Sequence, residues 1–121
     1  MTIKALEYDF SVVKLKDLSD VDLKKEFTFV ANTDEEISLV VKTENVSTNV
    51  SNREDGYKAF RIEGELDFSL VGILAGITSA LAENKIPVFA VSTYNTDYIF
   101  VKAENLGRAT EALKSKGYSV V

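Results

Sequence analysis

The chain contains no cysteine, no histidine and no tryptophan, and only one proline and one methionine. Without cysteine there is no disulfide, no thiolate metal ligand and no cysteine nucleophile. Without histidine there is no imidazole base, no Ser-His triad and no access to the commonest zinc ligand. An enzyme built on this chain would have to work with Asp, Glu, Lys, Tyr or Ser alone. Long apolar runs are missing as well, and none approaches the roughly 20 residues of a spanning helix. The opening Met1-Thr2-Ile3-Lys4 lacks the basic-then-apolar order of a signal segment, so a cytoplasmic location is expected. Positive charge is scarce: 14 Lys and Arg against 19 Asp and Glu leave a net charge of -5. That excess opposes phosphate backbones and anionic lipid, and no basic stripe offsets it. Neither nucleic acid nor a membrane is expected as a partner.

What is present is the composition of a globular protein. The 121 residues are 45% hydrophobic and 27% charged, enough for one domain or two very small ones. Thr43 to Gly56 is polar, ends in Asp-Gly and reads as a surface connection. Asn45-Val46-Ser47 and Asn49-Val50-Ser51 match a glycosylation acceptor pattern by chance, since nothing points to export.

After the connection, Tyr57 to Leu66 alternates, with Phe60, Ile62 and Leu66 on one face and Arg61, Glu63 and Glu65 on the other, as a half-buried strand does. Asp67 and Ser69 are helix N-cap candidates. Leu70, Ile73, Leu74, Ile77 and Leu81 then recur at helical spacing to about Asn84. Gly72 and Gly76, one turn apart, permit close packing. Pro87 cannot continue the helix, and Val88 to Thr93 suits a central strand. Tyr94 to Asp97 is turn chemistry, and Tyr98 to Lys102 is again a strand. Glu104 to Lys116 predicts a second helix with Leu106, Ala109 and Leu113 inward and Gly117 at its end. Tyr118 to Val121 closes as a strand. The order β-α-β-β-α-β is that of an α+β, ferredoxin-like unit: an antiparallel four-stranded sheet with both helices on one face.

The first half predicts strands around Tyr8 to Val12, Glu26 to Val30 and Ser38 to Lys42, with at most two helical turns between Asp17 and Lys25. A weak internal echo sets Thr33-Asp34, Ile37 and Lys42 against Thr96-Asp97, Ile99 and Lys102, at unequal spacing.

Two segments are candidate sites. Glu63 to Ser69 passes from strand to helix, where unpaired N–H groups suit a carboxylate; an ordinary capped helix reads equally from the same residues. Ser92-Thr93-Tyr94-Asn95-Thr96-Asp97 offers six hydrogen-bonding side chains, with Asp97 suited to an ammonium and Thr93, Asn95 and Thr96 to a carboxylate or amide; the alternative is a polar hairpin bonding its own backbone. No carboxylate pair stands out as acid and base, and Asp34, Glu35 and Glu36 read as a solvated or capping turn rather than a metal site. No cofactor and no metal are expected.

At these two loops, Glu63-Gly64-Glu65-Leu66-Asp67-Phe68-Ser69-Leu70-Val71-Gly72-Ile73-Leu74 and Ile86 to Lys102 resemble the small bacterial tandem ACT-domain proteins, similar in turn to the cytosolic arginine sensor and to the regulatory part of aspartate kinase. Thr33-Asp34-Glu35-Glu36-Ile37-Ser38-Leu39-Val40 fits the same family. The resemblance implies two ACT units side by side, an abbreviated one over residues 1-55 and a full one over 56-121. It implies an allosteric, regulatory module without enzyme activity, binding a free amino acid or similar zwitterion at the interface of the units. Carried over by position, Gly64, Glu65, Leu66, Asp67, Phe68 and Ser69 supply backbone donors. Ser38 and Leu39 face them, and Thr93, Asn95, Thr96 and Asp97 close the pocket. The other reading is a ferredoxin-like assembly domain that forms a homodimer through Phe60, Phe89 or Phe100 and binds nothing small.

Overall fold

In chain order the strands are β1 (Thr2–Ala5), β2 (Phe10–Leu15), β3 (Phe29–Asn32), β4 (Ile37–Lys42) and β5 (Val50–Ile62), followed by helix α1 (Ile73–Glu83), strands β6 (Phe89–Ser92) and β7 (Asp97–Lys102), helix α2 (Leu106–Ser115) and strand β8 (Ser119–Val120). Short 3-10 turns stand at Leu18–Asp20, Thr43–Asn45 and Ala103–Asn105. This computed structural model describes residues 1–64 and 72–121. The expected N-caps Asp67 and Ser69, and the strand and helix positions Leu66 and Leu70, lie outside the described residues. The chain divides into a larger unit, Met1–Glu7 with Lys58–Val121, and a unit Tyr8–Tyr57 inserted into its sequence.

The larger unit carries the expected β-α-β-β-α-β order from the end of β5 to β8, with a sheet order β6-β7-β5-β1-β8. The expected four-stranded sheet is thereby enlarged. β1 lies between β5 and β8, antiparallel to the first (Ile3↔Ile62) and parallel to the second (Ile3↔Val120). The sequence gives little sign of β1, since Ile3 is its one buried residue. Val88 to Thr93 is also not a central strand: among the described residues β6 pairs with β7 alone, and its residues alternate in burial. Its apolar character serves a face rather than a full burial, for Phe89 stacks on Phe100 with ring centroids 4.7 Å apart.

Ile3, Phe60, Ile62, Ile99 and Val101 of the strands meet Ile77, Ala80 and Leu81 of α1 and Ala109, Ala112 and Leu113 of α2 in one core. Each large side chain so buried contributes about 1.5–3 kcal/mol of transfer free energy. Ile73, Leu74 and Leu106, expected inward, are partly buried against that core. Gly76 allows close packing as expected, since a Cβ there would come 2.9 Å from the Tyr118 hydroxyl. Both helices end in the same geometry. The N–H of Ile86 bonds to Leu81 O (3.1 Å) and that of Tyr118 to Leu113 O (3.2 Å), each after a left-handed residue. At α2 that residue is Gly117 (φ +94), which adopts it without strain, and at α1 it is Lys85 (φ +57).

In the inserted unit the strand order is β3-β4-β2-β5, all antiparallel. Val13, Leu15, Leu39 and Val41 form its small core, flanked by Val21, Ile37, Val46 and Val50. Among the described residues it has 3-10 turns and no α-helix. The polar stretch to Gly56, expected as a connection, is strand from Val50 onward. Main-chain pairing rather than side-chain burial makes it so, since Ser51 to Gly56 are exposed. The Asp-Gly signal marks a bulge: Phe10 pairs with Tyr57 and Val12 with Glu54, so Asp55 and Gly56 oppose Ser11 alone. Gly56 takes φ +86 there, and the fully buried Ser11 hydroxyl donates to Asp55 Oδ1 at 2.6 Å. Tyr8, Phe10 and Phe27 cluster beside it, with Lys42 Nζ 3.9 Å from the Tyr8 ring centre.

The internal echo becomes a repeat at one constant spacing. Thr33 and Thr93, sixty residues apart, each accept from the residue three positions on at their Oγ1 and donate N–H to its carbonyl (2.9 and 2.8 Å). Strand, turn, strand and 3-10 turn follow at matching positions in both units. The repeated element is the threonine turn, so pairing Thr33 with Thr96 missed it.

Candidate functional site

The second of the segments singled out in the second half meets the end of β5 at one corner of the larger unit. The turn 93–96 closes on Thr93 Oγ1, which donates to Thr96 O (3.1 Å) and accepts from Thr96 N (3.3 Å). Thr96 itself is buried and its hydroxyl donates to Ile62 O at 2.7 Å. That bond ties the turn to the end of β5, two residues before Gly64 (φ +89). Asp97 opens β7 half-buried, its carboxylate accepting from the Ser92 hydroxyl across the strand pair. Asn95 and Tyr94 are exposed at the tip, Tyr94 by 79%. α1 begins nearby in sequence behind Gly72, and its first turn holds no acidic side chain.

Glu65, Leu66, Asp67, Phe68 and Ser69 lie outside the described residues. Ser38 and Leu39 belong to the inserted unit: Ser38 is half-buried on β4, while Leu39 is a core side chain, 3% exposed. Of the aromatic residues weighed for an assembly surface, Phe60 and Phe100 are fully buried and Phe89 half-buried.

Arg61 and Glu63 were read from sequence only as an outward strand face, and Tyr98 only as part of a strand. Arg61 Nη2 donates to Glu63 Oε1 (3.3 Å) and the guanidinium also bonds Tyr98. The Tyr98 bond, with the Glu63 carboxylate adding to it, holds the Arg61 pKa above its ordinary value, against a smaller opposing effect of burial. The signal was available in the alternation of Phe60 and Ile62 about Arg61, which sends Arg61 to the face away from the helices.

Among the described residues no group of three or more acidic side chains gathers in a metal-binding arrangement. No buried side-chain nitrogen or oxygen among them lacks a partner. Among the described residues no helix is long and apolar enough to cross a membrane. At this corner the Thr93 and Thr96 hydroxyls donate to main-chain carbonyls and Ser92 donates to Asp97, as in the alternative of a polar hairpin that bonds its own backbone.

A family model described as the ACT domain matches residues 52–115. Among solved structures, a crystal structure of an Agobacterium tumefaciens protein superposes with a TM-score of 0.87 at 25% identity, covering 99% of this chain and 91% of that one. A Vibrio cholerae protein of unknown function gives 0.71 at 24% identity, over 94% and 88% of the two chains. The ligand-free regulatory subunit of aspartate kinase from Thermus thermophilus gives 0.62 at 12% identity, over 95% and 97%. No curated protein sequence matches the chain.

Proposed function

The chain belongs to the ACT-domain family, and on that premise we propose that it is a non-catalytic regulatory module whose ligand is a free amino acid. The observation that supports this most is the Thr96 Oγ1 to Ile62 O bond, which holds the 93–96 turn and Asp97 against the strand end that leads into Gly64. In this reading Asp97 takes the ligand's ammonium. Asn95 orients its carboxylate, together with main-chain donors from Gly64 to Ser69, while Thr93 shapes the turn that carries Asn95. Three charge-assisted hydrogen bonds at ~1.5–3 kcal/mol each give ~4–9 kcal/mol before ordering costs. That places affinity between roughly millimolar and micromolar, the range of metabolite pools. Binding becomes a signal if the ligand prefers one arrangement of the chain, or of a homodimer of it, over another. The module works in the cytoplasm in this reading.

Calorimetric titration with each of the twenty amino acids tests the proposal. Heat from at least one is expected, weakened about tenfold by Asp97→Asn, which removes the charge opposite the ammonium. Absence of both heat and thermal shift for all twenty would overturn it.

A further inference from the structure

Asp55–Gly56, in the inserted unit's part of β5, is the chain's one Asp-Gly pair, and there is no Asn-Gly pair. Such a pair is chemically reactive. The Gly56 main-chain nitrogen, unhindered because the residue has no Cβ, can attack the carboxyl carbon of Asp55. A nitrogen–carbon bond forms, and the amide hydrogen leaves with the carboxyl hydroxyl as water. The product is a five-membered imide. Water then opens it at either carbonyl: one opening restores aspartate, and the other leaves isoaspartate, with the main chain running through the former side chain. The water lost in the first step returns in the second, so no oxidant or other co-reactant is needed. Only the neutral carboxyl reacts, since a carboxylate has no hydroxyl to lose.

The fold holds this pair in a way that opposes the reaction. Asp55 and Gly56 form the bulge opposite Ser11, between the pairs Phe10↔Tyr57 and Val12↔Glu54. Three donors converge on Asp55 Oδ1: the Ser11 hydroxyl at 2.6 Å, Arg53 Nη2 at 2.9 Å and Arg53 Nε at 3.2 Å. The guanidinium favours the charged, unreactive form of the carboxyl, and the bond to Ser11 fixes its direction. Ser11 is a firm anchor, being fully buried and bonded as well to the Thr43 hydroxyl at 2.8 Å. The side chains of Asp55 and Arg53 are 49% and 42% exposed, so water reaches the pair, and the clasp rather than burial does the shielding.

We propose that Asp55–Gly56 is a guarded modification site: Ser11 and Arg53 keep the folded chain from forming isoaspartate there, and opening of the β2–β5 pairing releases the reaction. The site is independent of amino-acid binding at the Thr93–Asp97 corner. Isoaspartate lengthens the main chain by a carbon between the two strand pairs that flank the bulge, so once formed it works against the pairing that guarded it. The full chain, Ser11→Ala and Arg53→Gln are incubated at neutral pH and physiological temperature, both without denaturant and in guanidinium chloride. Cleavage after Lys42 and Lys58 releases the segment that holds the pair. An isomer of unchanged mass is separated by reversed-phase chromatography and identified as a substrate of isoaspartyl methyltransferase. Circular dichroism checks that each variant is folded without denaturant. Isoaspartate at Asp55 should accumulate at least about tenfold more slowly in the folded parent chain than in denaturant, and each variant, while folded, should recover much of that difference. Arg53 is exposed, so its variant separates loss of the clasp from loss of the fold. Equal rates in the folded and unfolded parent chain, or a folded Arg53→Gln as slow as the parent, would overturn the proposal.

Discussion

Single residues set the two threonine turns and the helix ends, and their effects can be measured one at a time. The Thr96 hydroxyl is buried and bonded to Ile62 O at 2.7 Å. Thr96→Val keeps the shape, loses the bond and leaves a carbonyl unpaired, so urea denaturation should show a loss of about 1–2 kcal/mol. Amino-acid affinity should fall with it if the corner is the site. Lys85 stands where α2 uses glycine, with φ +57. Lys85→Gly should raise stability by up to about 1 kcal/mol, because a left-handed residue with a Cβ is strained. Gly117→Ala should lower it by a similar amount. Asp17 caps the turn at Leu18–Asp20 by accepting from Ser19 N at 2.8 Å. Its pKa is lowered from 3.8, first by that amide and then by the Ser19 hydroxyl. The folded value is the depressed one, so the contribution is complete above 3.8 and is lost as pH falls through the lower folded value. Asp17→Asn should flatten that acid limb by lowering stability in the neutral region, while the most acid end, where the contribution is already lost, stays unchanged.

At the scale of elements, the sequence was legible wherever burial imposed a period. Ile77 and Leu81 on α1, Ala109 and Leu113 on α2, and Phe60 and Ile62 on β5 fall where spacing puts them. It was illegible where pairing did not depend on side chains. The first part of β5 is a strand because β2 offers it a backbone, and its exposed Ser51 to Gly56 carry no alternation to read. β1 escaped notice for a related reason: four residues with one buried isoleucine make no pattern. For the candidate site, the polar run Ser92 to Asp97 was visible, but its anchor on Ile62 O was not, since a hydroxyl-to-carbonyl bond between residues 34 apart leaves no trace in composition. Lys42 gives a test at this scale. Its ammonium joins β4 to the Tyr8 and Phe27 rings, so Lys42→Met should cost about 0.5–1 kcal/mol and Lys42→Arg much less.

For the whole molecule, the two units differ in what holds them. The larger one buries side chains from two helices and three of its strands, and the inserted one rests on four core residues with their flanks. Amide exchange should therefore be faster across Tyr8–Tyr57 than in α1, α2 and β7. Equal protection in both would show that they open as one. A ligand present at a hundred times its dissociation constant should add about 2.7 kcal/mol to the stability of whichever unit holds it, so exchange with and without amino acid also locates the site. Light scattering should give about twice the mass of one chain if the homodimer forms.

Strand β1 has a consequence for biosynthesis. It hydrogen-bonds on one side to β5 and on the other to β8, more than a hundred residues downstream. During synthesis β1 therefore stays unpaired until β5 is made and paired on one side only until β8 follows. Residues 8–57 hold all of their own strand partners and can fold in that interval. The larger sheet is completed only when the last-made strand returns to the first.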